Sequence, residues 1–223
     1  MEKIRMFAAR HKYALVSLYV PFYILWFSAL EKRTGVEYNI MHCVVDDWIP
    51  FCEYFIVPYL LWFLYVAVVV IFLLLQTKYQ EDFFRCVTAL IMGMTVFLLI
   101  CTIFPNAQTM RPEGFLNDNI FTRLVTALYQ ADTSTNVFPS IHVYNSLAVH
   151  TALCRSQALR NKNGWKTASL GMCVMICIST MTLKQHSFLD FIGACALYLL
   201  VDKVVYNTET DFSLFRVRKE YKG

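Results

Sequence analysis

Charge is scarce in this chain of 223 residues: only 16% of it is Asp, Glu, Lys or Arg, against roughly 25% in soluble domains. Glycine and proline are also scarce, at 7 and 6 copies, which excludes a collagen-like or Pro/Gly-rich disordered chain. No internal repeat or low-complexity run is present, and no C-x-x-C pair points to zinc. The 8 cysteines do not form a disulfide framework, because most of them fall within apolar blocks. Cys43 and Cys52 are the exception, lying in one loop where they could bridge. The net charge of +4 is modest, and no nucleic-acid partner is expected. No hydrophilic stretch is long enough for a soluble domain; the longest is the loop near 105–136.

What is there is apolar. Hydrophobic residues make up 57% of the chain and fall in blocks of about twenty, the length a helix needs to cross a bilayer core. The blocks predict spans near 13–30, 54–75, 84–104, 137–153, 166–183 and 187–206. The expected fold is therefore all-α, a single integral membrane domain over 1–223 built as a six-transmembrane-helix bundle. The first block follows the basic stretch MEKIRMFAARHK, and its length suits a span better than a cleaved signal. Lysine and arginine divide unevenly between the two sides, 15 against 5. The richer side holds both termini and the second and fourth loops, which places it in the cytoplasm. Loops one, three and five then face outward from a plasma membrane.

Three polar clusters lie at the outer ends of these spans. PNAQTMRP ends in Arg111-Pro112; span four opens with Phe138-Pro139-Ser140-Ile141-His142; STMTLKQHSFLD carries Lys184, His186 and Asp190. Pro139 suits a helix's first turn, with Ser134, Thr135 or Asn136 as cap. The free N–H groups at Ser140, Ile141 and His142 would then form an anion site, with His142 beside it as a proton donor. His186 and Asp190 are four apart and share a face if helical, so Asp190 can hold the Nδ1–H of His186 and leave Nε2 free to attack. Arg111 could grip a phosphoryl group bidentately and Lys184 act as a point charge.

The order Arg-Pro, Pro-Ser-x-His, then Ser-x6-His-x3-Asp resembles the type 2 phosphatidic acid phosphatase superfamily. That resemblance implies a metal-independent, cofactor-free reaction through a phosphohistidine at a membrane-face site. His186 would be the nucleophile, Asp190 its orienter and His142 the general acid, with Arg111, Ser140 and Lys184 binding phosphate. The match spans 105–193, and the run Asp47-Trp48-Ile49-Pro50-Phe51 is similar to one branch of the family. Phe104, Ile141 and Thr180 stand where the family usually has lysine, glycine and arginine. Phe-Pro-Ser-x-His and Lys-Gln-His look more like the branch near inositol phosphorylceramide and sphingomyelin synthases, whose phosphodiester substrates carry less charge.

Hydrolysis of a lipid phosphomonoester or diphosphate is the leading expectation. Transfer of a phosphodiester head group to an acceptor lipid alcohol is the second. A non-catalytic lipid-binding or transport protein is the third, and a metal-dependent hydrolase using His42, Asp46 and Asp47 the fourth. His150 reads as structural, Trp48, Tyr54 and Trp62 as interfacial aromatics, and the closing RVRKEYK as a tail near anionic lipid. Tyr144 and Asn145 follow His142 closely enough to flank the site.

Overall fold

A computed structural model describes residues 12–207, so the basic amino-terminal stretch and the RVRKEYK tail lie outside the described residues. Helix α1 is Lys12–Glu31, the two-residue strand β1 is Asn39–Ile40, and the short α2 is Val44–Trp48. Helix α3, Ile56–Leu75, is entered through a 3-10 turn at Glu53–Phe55; α4 is Gln80–Ile103, β2 is Asn106–Ala107 and α5 is Ile120–Ala131. Helices α6 (Ile141–Arg155), α7 (Asn163–Thr182) and α8 (Phe188–Asp202) complete the order, and α8 runs on into a π turn at Lys203–Asn207.

Local chemistry accounts for the main boundaries. Pro58 sits in the first turn of α3, where its missing N–H costs nothing. Glu81 and Asp82 open α4, favourably placed at the positive end of its dipole. Ser187 caps α8 and forms a reciprocal capping box with Asp190.

The described residues are mostly helical, and among them two helical segments, Glu53–Leu75 and Thr77–Ile103, are long and apolar enough to cross a membrane. Helices α6 and α8 have 15 residues each, only ~22 Å at 1.5 Å per residue. The expected span from 137 loses its first turn because the helix starts only after its cap, Ser140. Two further differences are the small parallel pairing of β1 with β2 in an otherwise helical chain, and α5 inside the loop expected to be irregular. The capping box of Asn119 with Thr122 starts α5. All eight cysteines are free thiols, so Cys43 and Cys52 do not bridge.

Helix α6 is the axis of the packing. It is buried on every face from His142 to Ser146 and again from Thr151 to Leu153, and α3, α4, α7 and α8 surround it. Close approach of α4 requires Gly93: a Cβ there would lie 2.0 Å from the Tyr144 ring, whose hydroxyl donates to Ala89 O at 2.7 Å. Helix α1 lies outside this group against α4, joined by Tyr19 to Thr95 and by Trp26 to Thr102. The outward side chains of α1, α3 and α8 are apolar; Leu25, Phe63 and Leu200 are examples.

Candidate active site

Two histidine rings and one carboxylate meet where α6 begins and α8 begins. His186 Nδ1 lies 3.3 Å from Asp190 Oδ2, and His186 Nε2 lies 3.4 Å from His142 Nδ1. With the Nδ1 proton of a neutral His186 facing Asp190, Nε2 is bare and His142 is the donor between the rings. Asp190 is fully buried, and its Oδ2 also accepts the Ser187 N–H at 2.9 Å.

The contact does not arise from two residues on one helical face. His186 precedes α8, in the turn that leaves α7, and Asp190 reaches it as the third residue of the helix by way of the capping box. The turn is held because Gln185 and His186 both donate their N–H to Thr180 O at 3.0 Å. Thr180, at the position where the resemblance expects arginine, thus supplies a carbonyl.

His142 is the second residue of α6. Ser140 is that helix's N-cap, in place of the expected Ser134, Thr135 or Asn136, and Pro139 lies before the helix. Its hydroxyl accepts the Val143 N–H at 3.4 Å, while the Ser140 N–H goes to Asp190 O at 3.2 Å. Part of the expected anion cradle is therefore committed to joining α6 to α8, and Ser140 is fully buried away from the cavity.

The two expected cations are also committed. Lys184 has a positive φ of 53° and turns its Nζ to Asp46 O and Ile49 O, at 2.7 and 2.6 Å. Arg111 donates from Nη1 to Tyr129 O and Asp132 O, and from Nη2 to Thr133 O and Gln185 Oε1. It also lies over the Tyr129 ring at 4.6 Å. A bidentate grip on phosphate would cost these bonds; neither cation lines the cavity.

That cavity, of about 480 Å³, has His142 and His186 in its wall together with Tyr59, Trp62, Asp132 and Gln185. Tyr59 and Trp62 pack on the His142 ring at centroid distances of 4.6 and 4.3 Å. Trp62, expected at an interface, is 7% exposed, whereas Trp48 is 74% exposed. Tyr144 and Asn145 point elsewhere in the bundle and do not line the cavity. His150 bonds Ser169 Oγ at 3.0 Å.

Three residues make contacts here that motif reading did not give. Asp132 follows α5 and faces the cavity; burial raises its pKa, with His186 and Arg111 working against the rise. Gln185 is 2% exposed and bridges Arg111 to the cavity wall. Asp46, next to the recognisable Asp47-to-Phe51 run, accepts from Ser187 Oγ, Phe188 N and Cys43 N at 2.6, 2.7 and 2.8 Å. Burial acts to raise the Asp46 pKa, but these hydrogen bonds outweigh it and hold the carboxyl below its usual range. His42 pairs instead with Asp47 at 2.9 Å. Asp46 and Asp47 face different ways, and no group of three such ligands converges among the described residues.

A helical bundle that sets two histidines against each other in a cavity wall, one of them held by a carboxylate, has the parts of a group-transfer enzyme. The sequence model of the PAP2 superfamily matches residues 87–213, and the chain belongs to that superfamily. Its members are phosphatases and phosphotransferases acting on phosphate esters. No curated protein and no solved structure matches the chain.

Proposed function

We propose that this chain is an integral membrane enzyme that breaks a phosphodiester bond of a lipid through a phosphohistidine on His186. The observation that carries the reading is the line Asp190–His186–His142 at the cavity wall, in which Asp190 Oδ2 lies against His186 Nδ1 and His186 Nε2 faces His142 Nδ1. His186 Nε2 bonds to phosphorus as the P–O bond to the lipid alcohol breaks, and His142 gives its proton to the departing oxygen. In the second step an alcohol or water loses its proton to His142, attacks phosphorus and displaces Nε2. Reacting atoms meet at about 3–3.5 Å. Substrate entry therefore parts the two rings, which touch at 3.4 Å.

The commitment of Lys184 and Arg111 to carbonyls favours a diester over a phosphomonoester, since a dianion needs more uncommitted cations than the cavity offers. An acceptor lipid alcohol then makes the reaction a head-group transfer. Helices α1, α3, α4, α6, α7 and α8 are read as membrane-embedded, with the termini cytoplasmic and the site toward the extracytoplasmic face. Apolar outward faces and the basic-residue bias support this placement.

The test is turnover of matched phosphatidic acid, a prenyl diphosphate and phosphodiester lipids by detergent-purified protein, with and without diacylglycerol or ceramide. Acceptor-dependent product from a diester, with a His186 peptide carrying the head-group phosphoryl and neither seen in His186→Ala, is expected. Phosphate released from the monoester with the diesters inert would refute diester specificity. Equal turnover by His186→Ala would refute the mechanism.

A further inference from the structure

The cavity wall presents an acid where a phosphate enzyme would be expected to present bases. Among the described residues, its lining includes Asp132 and no lysine or arginine. No described side chain hydrogen-bonds or salt-bridges the Asp132 carboxylate. Arg111 is its cationic neighbour, and that guanidinium is turned to the carbonyls of Asp132, Thr133 and Tyr129. The carboxylate is thus left facing the cavity beside the two histidines.

The rest of the wall is aromatic. Tyr59 and Trp62 pack on His142; Tyr23 and Phe27 stack at 6.0 Å with their planes 4° apart, and Phe97 packs on Phe27 at 6.1 Å. All of these line the same cavity. Ring faces attract a cation, most strongly when water is excluded, and a carboxylate at the same site adds a counter-charge. Two well-buried residues of the wall also hold donors without a partner, Trp62 Nε1 and Gln185 Nε2. Such N–H groups suit the oxygens of a weakly charged phosphodiester.

We propose that the cavity receives a positively charged nitrogen carried on the lipid head group, an amine or a quaternary ammonium, with Asp132 as counter-charge and the aromatic rings as its walls. This rests on the phosphodiester reading and adds to it the chemical class of the head group. A zwitterionic head group places its anion at His186 and its cation at Asp132, which accounts for a wall poor in cations and bearing one acid. A phosphomonoester has no cation to set against Asp132, and a neutral polyol head group leaves that carboxylate uncompensated.

The experiment compares kcat/KM for phosphatidic acid and for phosphodiester lipids with identical acyl chains and choline, ethanolamine or glycerol head groups, in parent and Asp132→Asn proteins. The full chain in detergent is used throughout. Tetramethylammonium binding to the parent is titrated alongside, by tryptophan fluorescence and calorimetry. The expected result is a preference for the two cationic head groups over glycerol that falls by at least roughly tenfold in Asp132→Asn. Tetramethylammonium should bind the parent and compete with the choline lipid.

Equal turnover of all three diesters would overturn the inference while leaving the diester reading intact; the aromatic wall would then hold an acyl chain. Turnover of phosphatidic acid alone would overturn both. If Asp132→Asn does not fold, or no lipid is turned over, the parent titration decides, and absence of tetramethylammonium binding sinks the proposal.

Discussion

Replacing Asp46 with asparagine probes a connection that runs from the loop before α3 to His186, the proposed nucleophile. The Asp46 carboxylate takes the Ser187 hydroxyl and the Cys43 N–H on Oδ2, and the Phe188 N–H on Oδ1. Ser187 and Phe188 are two of the three residues between His186 and Asp190, so this carboxylate fixes the turn that carries His186, the proposed nucleophile. Asparagine has one acceptor oxygen in place of two. Whichever way the amide turns, either the Cys43 or the Phe188 N–H faces another donor. Loss of one buried hydrogen bond to a charged group costs about 1.5–3 kcal/mol. If all of it falls on the geometry of attack, kcat drops by roughly 10- to 150-fold, with KM nearly unchanged because Asp46 does not line the cavity. The assay is steady-state turnover of the preferred lipid in mixed micelles, with thermal unfolding of the same preparations. A kcat within twofold of the parent, accompanied by a lower Tm, would show that the network stabilises the loop without orienting His186.

The same carboxylate sets an acid limit on stability. Its folded pKa is depressed, so its contribution is fully present above the unfolded value of about 3.9 and is lost as pH falls through the folded one. Asp46→Asn should therefore flatten the loss of Tm below about pH 4, and an unchanged acid limb would refute this. Lys184→Met removes two bonds to the loop carbonyls. Its effect on kcat should be non-additive with Asp46→Asn, with a coupling of about 0.5–3 kcal/mol. A large rise in KM would instead place Lys184 on the substrate. In Gly193→Ala the new Cβ would sit 2.4 Å from the Phe138 ring, displacing the segment that leads into His142. Tm should fall by the equivalent of about 1–3 kcal/mol and turnover should fall with it; full activity at the parental Tm would contradict the packing described.

Much of the helical layout was legible because burial and span length leave a direct mark on apolar blocks. Helices α1, α3, α4 and α7 lie within a few residues of the blocks that predict them. Helix α5 was less visible because it is amphipathic rather than uniformly apolar, though its Asn119 cap and Thr122 are a local start signal. Among the candidate site residues, His142, His186 and Asp190 are brought to one place, and the capping box Ser187-x-x-Asp190 was available as a local signal for the last two. The directions of Lys184, Arg111 and Ser140 were not legible, because a side chain's partner depends on which carbonyls the tertiary fold leaves within its reach.

The sequence by itself determined a chain rich in apolar helices, with His142, His186 and Asp190 at one set of helix ends. Local patterns carry that much, because hydropathy, proline position and capping act over a few residues. Only the tertiary structure decided that Asp46, more than a hundred residues away in sequence, grips the turn that carries His186, that Trp62 packs on His142, and that Asp132 faces the cavity while the expected cations face away from it. Those are choices among competing long-range partners. They are settled by which buried polar groups can satisfy one another once the helices have packed.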